Sequence, residues 1–164
     1  MSAQPDWSDL RSGDALGYFT RDPIDVGIAI KTWCRLSHVE VYSGGGLSVA
    51  SRNGIGVNRY QLRKDGLAII RRPLQPLDLA AADHWFETTA RGQKYDWLGL
   101  LCFTLAVKQG SPRRMFCSEF MTRFYRRAQF QPFDHEWDAD KVPPSFILVS
   151  PEFETIWKSP GWMP

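Results

Sequence analysis

Between Ser37 and Tyr42 the chain alternates strictly: His38, Glu40 and Tyr42 are interleaved with Val39 and Val41, the period of a half-buried strand. Gly44-Gly45-Gly46 then makes a turn, and Leu47-Ser48-Val49-Ala50-Ser51 reads as the returning strand of a hairpin. Successive strand side chains face opposite sides, so His38 and Glu40 share one face and the valines the other. From Cys117 the period changes. Phe120, Met121, Phe124, Tyr125 and Ala128 fall at helical spacing, with Arg126 and Arg127 in the last turn, where cations complement the helix dipole. Gly110-Ser111-Pro112 is a breaker cluster upstream, which places the helix start at or just before Cys117.

The same reading along the rest of the chain predicts a first strand over Gly13 to Phe19 and a helix over Pro23 to Cys34, with proline in its first turn. Strands follow near Gly56–Tyr60 and Leu67–Arg71. A helix over Leu77 to Arg91 is capped by Asp78 and ended by Gly92, and another begins at Asp96. The tail from Gln131 is rich in proline and aromatics; a short helix is expected at Pro151 to Lys158, and the tail is expected to wrap the domain. Strands first and helices after predict an α+β fold, an antiparallel sheet packed against helices on one side.

Length and composition narrow this picture without changing it. The 164 residues suffice for one domain over 1–164 with a sizeable core, and 43% hydrophobic residues with seven tryptophans suit a packed domain over a disordered chain. A net charge of +2 is too small to argue for a nucleic-acid partner, and none is expected. The pairs Arg71-Arg72, Arg113-Arg114 and Arg126-Arg127 read as solvated faces. Cys34, Cys102 and Cys117 form no disulfide framework, which points to a reducing, cytoplasmic compartment; Cys34 and Cys102 read as core. The start of the chain lacks a basic-then-apolar pattern, so no signal peptide is expected. The apolar run Trp97 to Val107 is too short to span a bilayer, so no transmembrane anchor is expected.

The candidate chemistry lies in Cys117 and His38. The unpaired N–H groups and positive dipole end at a helix start favour a thiolate, and a histidine on a strand supplies a base if the fold brings the two together. Glu119 in the first turn suits the helix but opposes the thiolate. Asp134, His135, Glu136, Asp138 and Asp140 have neither the spacing nor the histidine count of a zinc or calcium loop, so they read as a solvated acidic loop. Neither metal nor cofactor is expected. His84 reads as a surface or packing residue.

Five stretches in order carry a resemblance. Gly13-Asp14-Ala15-Leu16, Leu36-Ser37-His38-Val39-Glu40-Val41, Ala50-Ser51-Arg52-Asn53-Gly54-Ile55-Gly56-Val57, Lys94-Tyr95-Asp96-Trp97-Leu98-Gly99 and Phe116-Cys117-Ser118-Glu119 resemble motifs of the circularly permuted, NlpC-type papain-fold cysteine hydrolases. This is the YiiX/YebB-like group related to the lecithin:retinol acyltransferases; the versions here look most like members encoded by bacteriophages and prophages. The resemblance covers about residues 10–130. It implies a permuted papain-like fold with Cys117 as nucleophile and His38 as base. Many relatives place a Glu or His on the second hairpin strand, at a position aligning with Ala50 here. Alanine cannot orient an imidazole, so Glu40, or less readily Ser51, takes that role. The implied activity is cleavage of an amide bond in a cell-wall (peptidoglycan) peptide or N-acyl substrate. Lipid acyl hydrolysis or transfer is the variant, and a catalytically weak phage-particle protein that keeps the fold is the alternative. For an oxyanion the N–H of Cys117 is the first donor, with Tyr18 and Tyr42 as candidates for a second hydroxyl.

Overall fold

The computed structural model describes residues 4–19, 35–96, 114–133, 137–160 and 162. Six strands hydrogen-bond into one antiparallel sheet: β1 (Ala15–Phe19), β2 (Leu36–Gly44), β3 (Leu47–Arg52), β4 (Gly56–Gln61), β5 (Leu67–Pro73) and β8 (Phe153–Lys158). Their order across the sheet is β4-β3-β2-β1-β5-β8. The glycine turn makes the β2–β3 hairpin as expected, with Val41 opposite Val49 and Tyr42 opposite Ser48. Gly45 and Gly46 both have positive φ, 60° and 75°, a region that costs little only for glycine.

One face of the sheet carries the main core. Val39, Val41, Val49 and Val57 meet Phe120, Met121, Phe124 and Tyr125 of α2 (Cys117–Arg127), with Ala82 and Trp85 of α1 (Leu79–Trp85) behind them. Phe120 is fully buried and stacks on Trp85, with Phe86 edge-on. Truncating a phenylalanine so placed costs about 3–5 kcal/mol, because the cavity does not collapse. The other face holds a smaller cluster of Leu16, Tyr18, Leu67 and Ile70, covered by Trp7, Leu10 and Tyr42.

Asp78 caps α1 as the sequence requires, its Oδ1 accepting from the Ala81 N–H at 3.0 Å. The helix is shorter than expected, since from Phe86 to Ala90 it widens into a π-type turn. A pair of short parallel strands, β6 (Lys94–Tyr95) and β7 (Arg114–Met115), then leads directly into α2. A short helix α3 (Phe146–Val149) precedes β8. The expected helix over Pro23 to Cys34 and the apolar run Trp97 to Val107 lie outside the described residues, as do Cys34 and Cys102. No described helix is long and apolar enough to cross a membrane.

Two expectations are overturned. Residues 153–158 form a strand against β5, not a helix. Their apolar residues Phe153, Ile156 and Trp157 mimic helical spacing because the register slips there: Ile70 faces Trp157 but Arg71 faces Thr155, so Ile156 is an extra residue. Nor do Arg71 and Arg72 form a solvated face. Arg71 is 7% exposed and donates to the carbonyls of Ser150 and Phe153, while Arg72 grips the buried Asp14 carboxylate at 2.8 Å with both Nε and Nη2. A buried backbone carbonyl needs a donor, and in the tail the donor is Arg71.

Candidate active site

The site begins with a fault in the β1–β2 ladder. Tyr18 faces His38, but Phe19 faces Leu36, so Ser37 is an unpaired extra residue. Such a bulge bends a strand and re-aims its neighbours. Here the carbonyl of Ser37 lies 3.9 Å from Cys117 Sγ. The imidazole of His38 comes within hydrogen-bonding reach of the same sulfur. The two residues, 79 positions apart in the chain, thus meet where the bulged end of β2 touches the start of α2.

The helix start is open in the sense that matters for an anion. Phe116 precedes the helix and its own side chain makes no cap; the first intrahelical bond runs from the Phe120 N–H to the Phe116 carbonyl at 3.0 Å. The N–H groups of Cys117, Ser118 and Glu119 therefore have no acceptor within the helix. Ser51 holds the approach to this point: its hydroxyl donates to the carbonyl of Met115, two residues before Cys117, at 2.5 Å. It makes no hydrogen bond with His38. Ser118 donates to the Val142 carbonyl at 2.6 Å, fixing the first turn from the other side.

Glu40 is the residue that touches the imidazole. His38 Nε2 stands 3.0 Å from Glu40 Oε1. The carboxylate is fully buried. It also accepts from Ser48 Oγ at 2.6 Å, from Arg52 Nε at 2.8 Å and from Arg52 Nη2 at 3.0 Å. Burial, the largest influence, pushes Glu40 up, but the hydrogen bonds and charges of His38 and Arg52 outweigh it and hold the group down at about 2. On His38 burial again dominates and pulls downward. Hydrogen bonds to Cys117 and Glu40, with the charges of both, reverse the sign and raise the imidazole to about 9. Glu119, buried in the first turn of α2, is pushed up to about 7 by desolvation despite its 2.7 Å bond to Arg123. At and below neutrality this removes much of the negative charge it would set against a thiolate.

Ser48 and Arg52 were not singled out from the sequence. The available signal was alternation across the hairpin, since 48, 50 and 52 share a face of β3 and Ser48 pairs with Tyr42, two residues from Glu40. The two tyrosines are engaged elsewhere. Tyr18 donates its hydroxyl to the Arg63 carbonyl at 3.0 Å, and the Tyr42 hydroxyl accepts from the Gly46 N–H at 3.2 Å. His84 is exposed on α1. In the acidic tail loop Asp138 pairs with Lys141, and residues 134–136 lie outside the described ones.

Neither a protein-family model nor a curated protein sequence matches the chain. A solved structure does: the metalloprotein YiiX of Escherichia coli O157:H7 is similar with a TM-score of 0.65 at 17% identity, over 94% of this chain and 98% of that one. The chain has a YiiX-like fold. Among the described residues no three His, Cys, Asp or Glu side chains are grouped to hold a metal ion. The donors around His38 do not fit one, because both oxygens of Glu40 are already taken by a guanidinium, whose positive charge a bound cation would have to displace.

Proposed function

We propose that this YiiX-like fold carries a permuted papain-like thiol hydrolase that cleaves an amide bond through an acyl-enzyme on Cys117. The observation that carries the reading is a single imidazole set between a sulfur at a helix start and a buried, ionised carboxylate. In this reading Cys117 Sγ attacks the substrate carbonyl and forms the C–S bond. The oxyanion is received by the N–H of Cys117. The C–N bond breaks as the His38 imidazolium gives its proton to the leaving amine. Water then attacks the thioester while His38 takes its proton, the C–S bond breaks, and the acid leaves. Glu40 fixes the ring tautomer that makes this possible.

The favoured substrate is a peptide or N-acyl amide, with bacterial cell-wall peptide first by resemblance. Transfer to a nucleophile other than water, or attack on a lipid ester, uses the same atoms.

Alkylation of Cys117 by iodoacetamide, resolved by peptide mass spectrometry across pH for wild type and His38→Ala, tests the reading. Labelling of Cys117 is expected to begin below neutral pH in the wild type. In His38→Ala its onset should move toward the ordinary thiol range near ~8.5. Identical profiles in the two proteins, both rising only in that range, would refute the dyad and leave a binding protein that keeps the fold.

A further inference from the structure

Arg52 has no part in the bond-making steps above, yet it is built into the site more firmly than its position at the end of a strand requires. Its Nε and Nη2 take the two oxygens of Glu40 at 2.8 and 3.0 Å, and its guanidinium lies 4.1 Å over the ring of Tyr60. A planar fork matched to a carboxylate and stacked on an aromatic face is a geometry that arginine supplies and lysine does not.

The reason lies in what a lone carboxylate would do to the base. A buried negative charge at hydrogen-bond distance favours the imidazolium strongly. That helps form the thiolate–imidazolium pair, but release of the acyl group needs His38 neutral, to take a proton from water, at a stage when the acylated sulfur no longer supports the imidazolium and Glu40 is the charge left beside it. Orientation calls for an acceptor at Nε2, whereas turnover calls for little net charge there. Glu40 and Arg52 together meet both demands, because the pair is close to neutral overall and keeps one oxygen lone pair aimed at the ring.

We infer that Arg52 is a positioning residue that balances the charge of Glu40, so that Glu40 aims the His38 ring without locking it in its protonated form. The inference rests on the Cys117–His38 reading above for its catalytic meaning, but the charge balance itself can be measured without turnover. Among the described residues, the other groups facing His38 are Cys117 from α2 and Tyr18 from β1; Tyr18 has its ring 6.0 Å away and carries the Arg63 guanidinium over it at 4.1 Å. With Arg52 replaced by a neutral residue, Glu40 keeps Ser48 and the imidazolium as partners and stays ionised near neutrality. Its charge then acts on His38 unopposed.

The experiment is an NMR pH titration of the His38 ring in the full chain, assigned by loss of its signals in His38→Ala, for wild type, Arg52→Gln and Arg52→Lys. In Arg52→Gln the His38 midpoint is expected to rise by about one pH unit. In Arg52→Lys, which keeps the charge, it should stay within about 0.3 unit of wild type. A midpoint in Arg52→Gln that is unchanged or lower overturns the inference, as does a full-unit shift in Arg52→Lys, which also serves if Arg52→Gln does not fold. A residue that merely braces the sheet would move neither midpoint. Hydrolysis of p-nitrophenyl acetate by the same proteins separates the two ideas, since the acid limb of deacylation should follow the midpoint upward in Arg52→Gln. No acylation of Cys117 together with the expected NMR shift would remove the hydrolase and leave the charge balance standing. Deacylation with an unmoved midpoint would do the reverse.

Discussion

Glu40 is a residue whose meaning depends on its company. A carboxylate with no exposure is costly unless it is paired and hydrogen-bonded, and here it has Arg52, Ser48 and His38 as partners. Because His38 is raised from 6.5 to about 9, its contribution to stability is fully present below pH 6.5 and is lost as pH rises through about 9. Glu40→Gln takes away one cause of that rise. Stability measured by urea unfolding should then fall less between pH 6.5 and 9 in the variant than in the wild type; an equal or steeper fall would contradict the assignment. Cys117, His38 and Glu40 were legible because each rests on a local pattern, a helix start or a strand alternation. Arg52 was not, because its partner lies on another strand and the cross-strand register has no local signature.

Elements here owe their placement to their irregularities as much as to their regular stretches. The bulge at Ser37 turns the end of β2 toward α2, and the bulge at Ile156 lets β8 send Phe153 to one core and Ile156 and Trp157 to the other. The hairpin and α2 could be read from the sequence since their periods are clean, whereas β8 could not, because one extra residue in a strand imitates a helix. The end of α2 shows the same economy of means. Gln129 takes a left-handed φ of 59°, and the Phe130 N–H reaches back to the Tyr125 carbonyl at 2.9 Å. Glycine adopts that conformation without the Cβ penalty of about 1–2 kcal/mol. Gln129→Gly is therefore expected to stabilise the protein by about 0.5–1 kcal/mol after the entropy glycine gains when unfolded, read as a higher urea midpoint at unchanged slope. A lower midpoint would mean that the Gln129 side chain contributes more than its backbone conformation costs.

At the scale of the whole molecule the tail is part of the core. Phe153 is 4% exposed and meets Tyr125 and Phe130 edge-on at 5.4 and 5.2 Å, while Tyr125 donates its hydroxyl to the Gly13 carbonyl at 2.9 Å. The last strand, the helix that begins at Cys117 and the turn that leads into β1 are thereby one packed unit. Phe153→Ala should cost about 3–4 kcal/mol in equilibrium unfolding; a loss under about 1 kcal/mol would show that β8 is only laid against a core already complete without it. Sequence reasoning saw a tail that wraps the domain but not one that completes its sheet, because edge pairing with β5 is set by contacts some 85 positions apart. The hairpin carries a consequence for how such chains are sorted. Many chains of the type this one resembles carry a Glu or His at the place of Ala50, whereas here the carboxylate that touches the imidazole stands at position 40, on the histidine's own strand. A survey that looked only at the second hairpin strand for a group to hold the imidazole would pass over the carboxylate that does so here, two residues after the histidine.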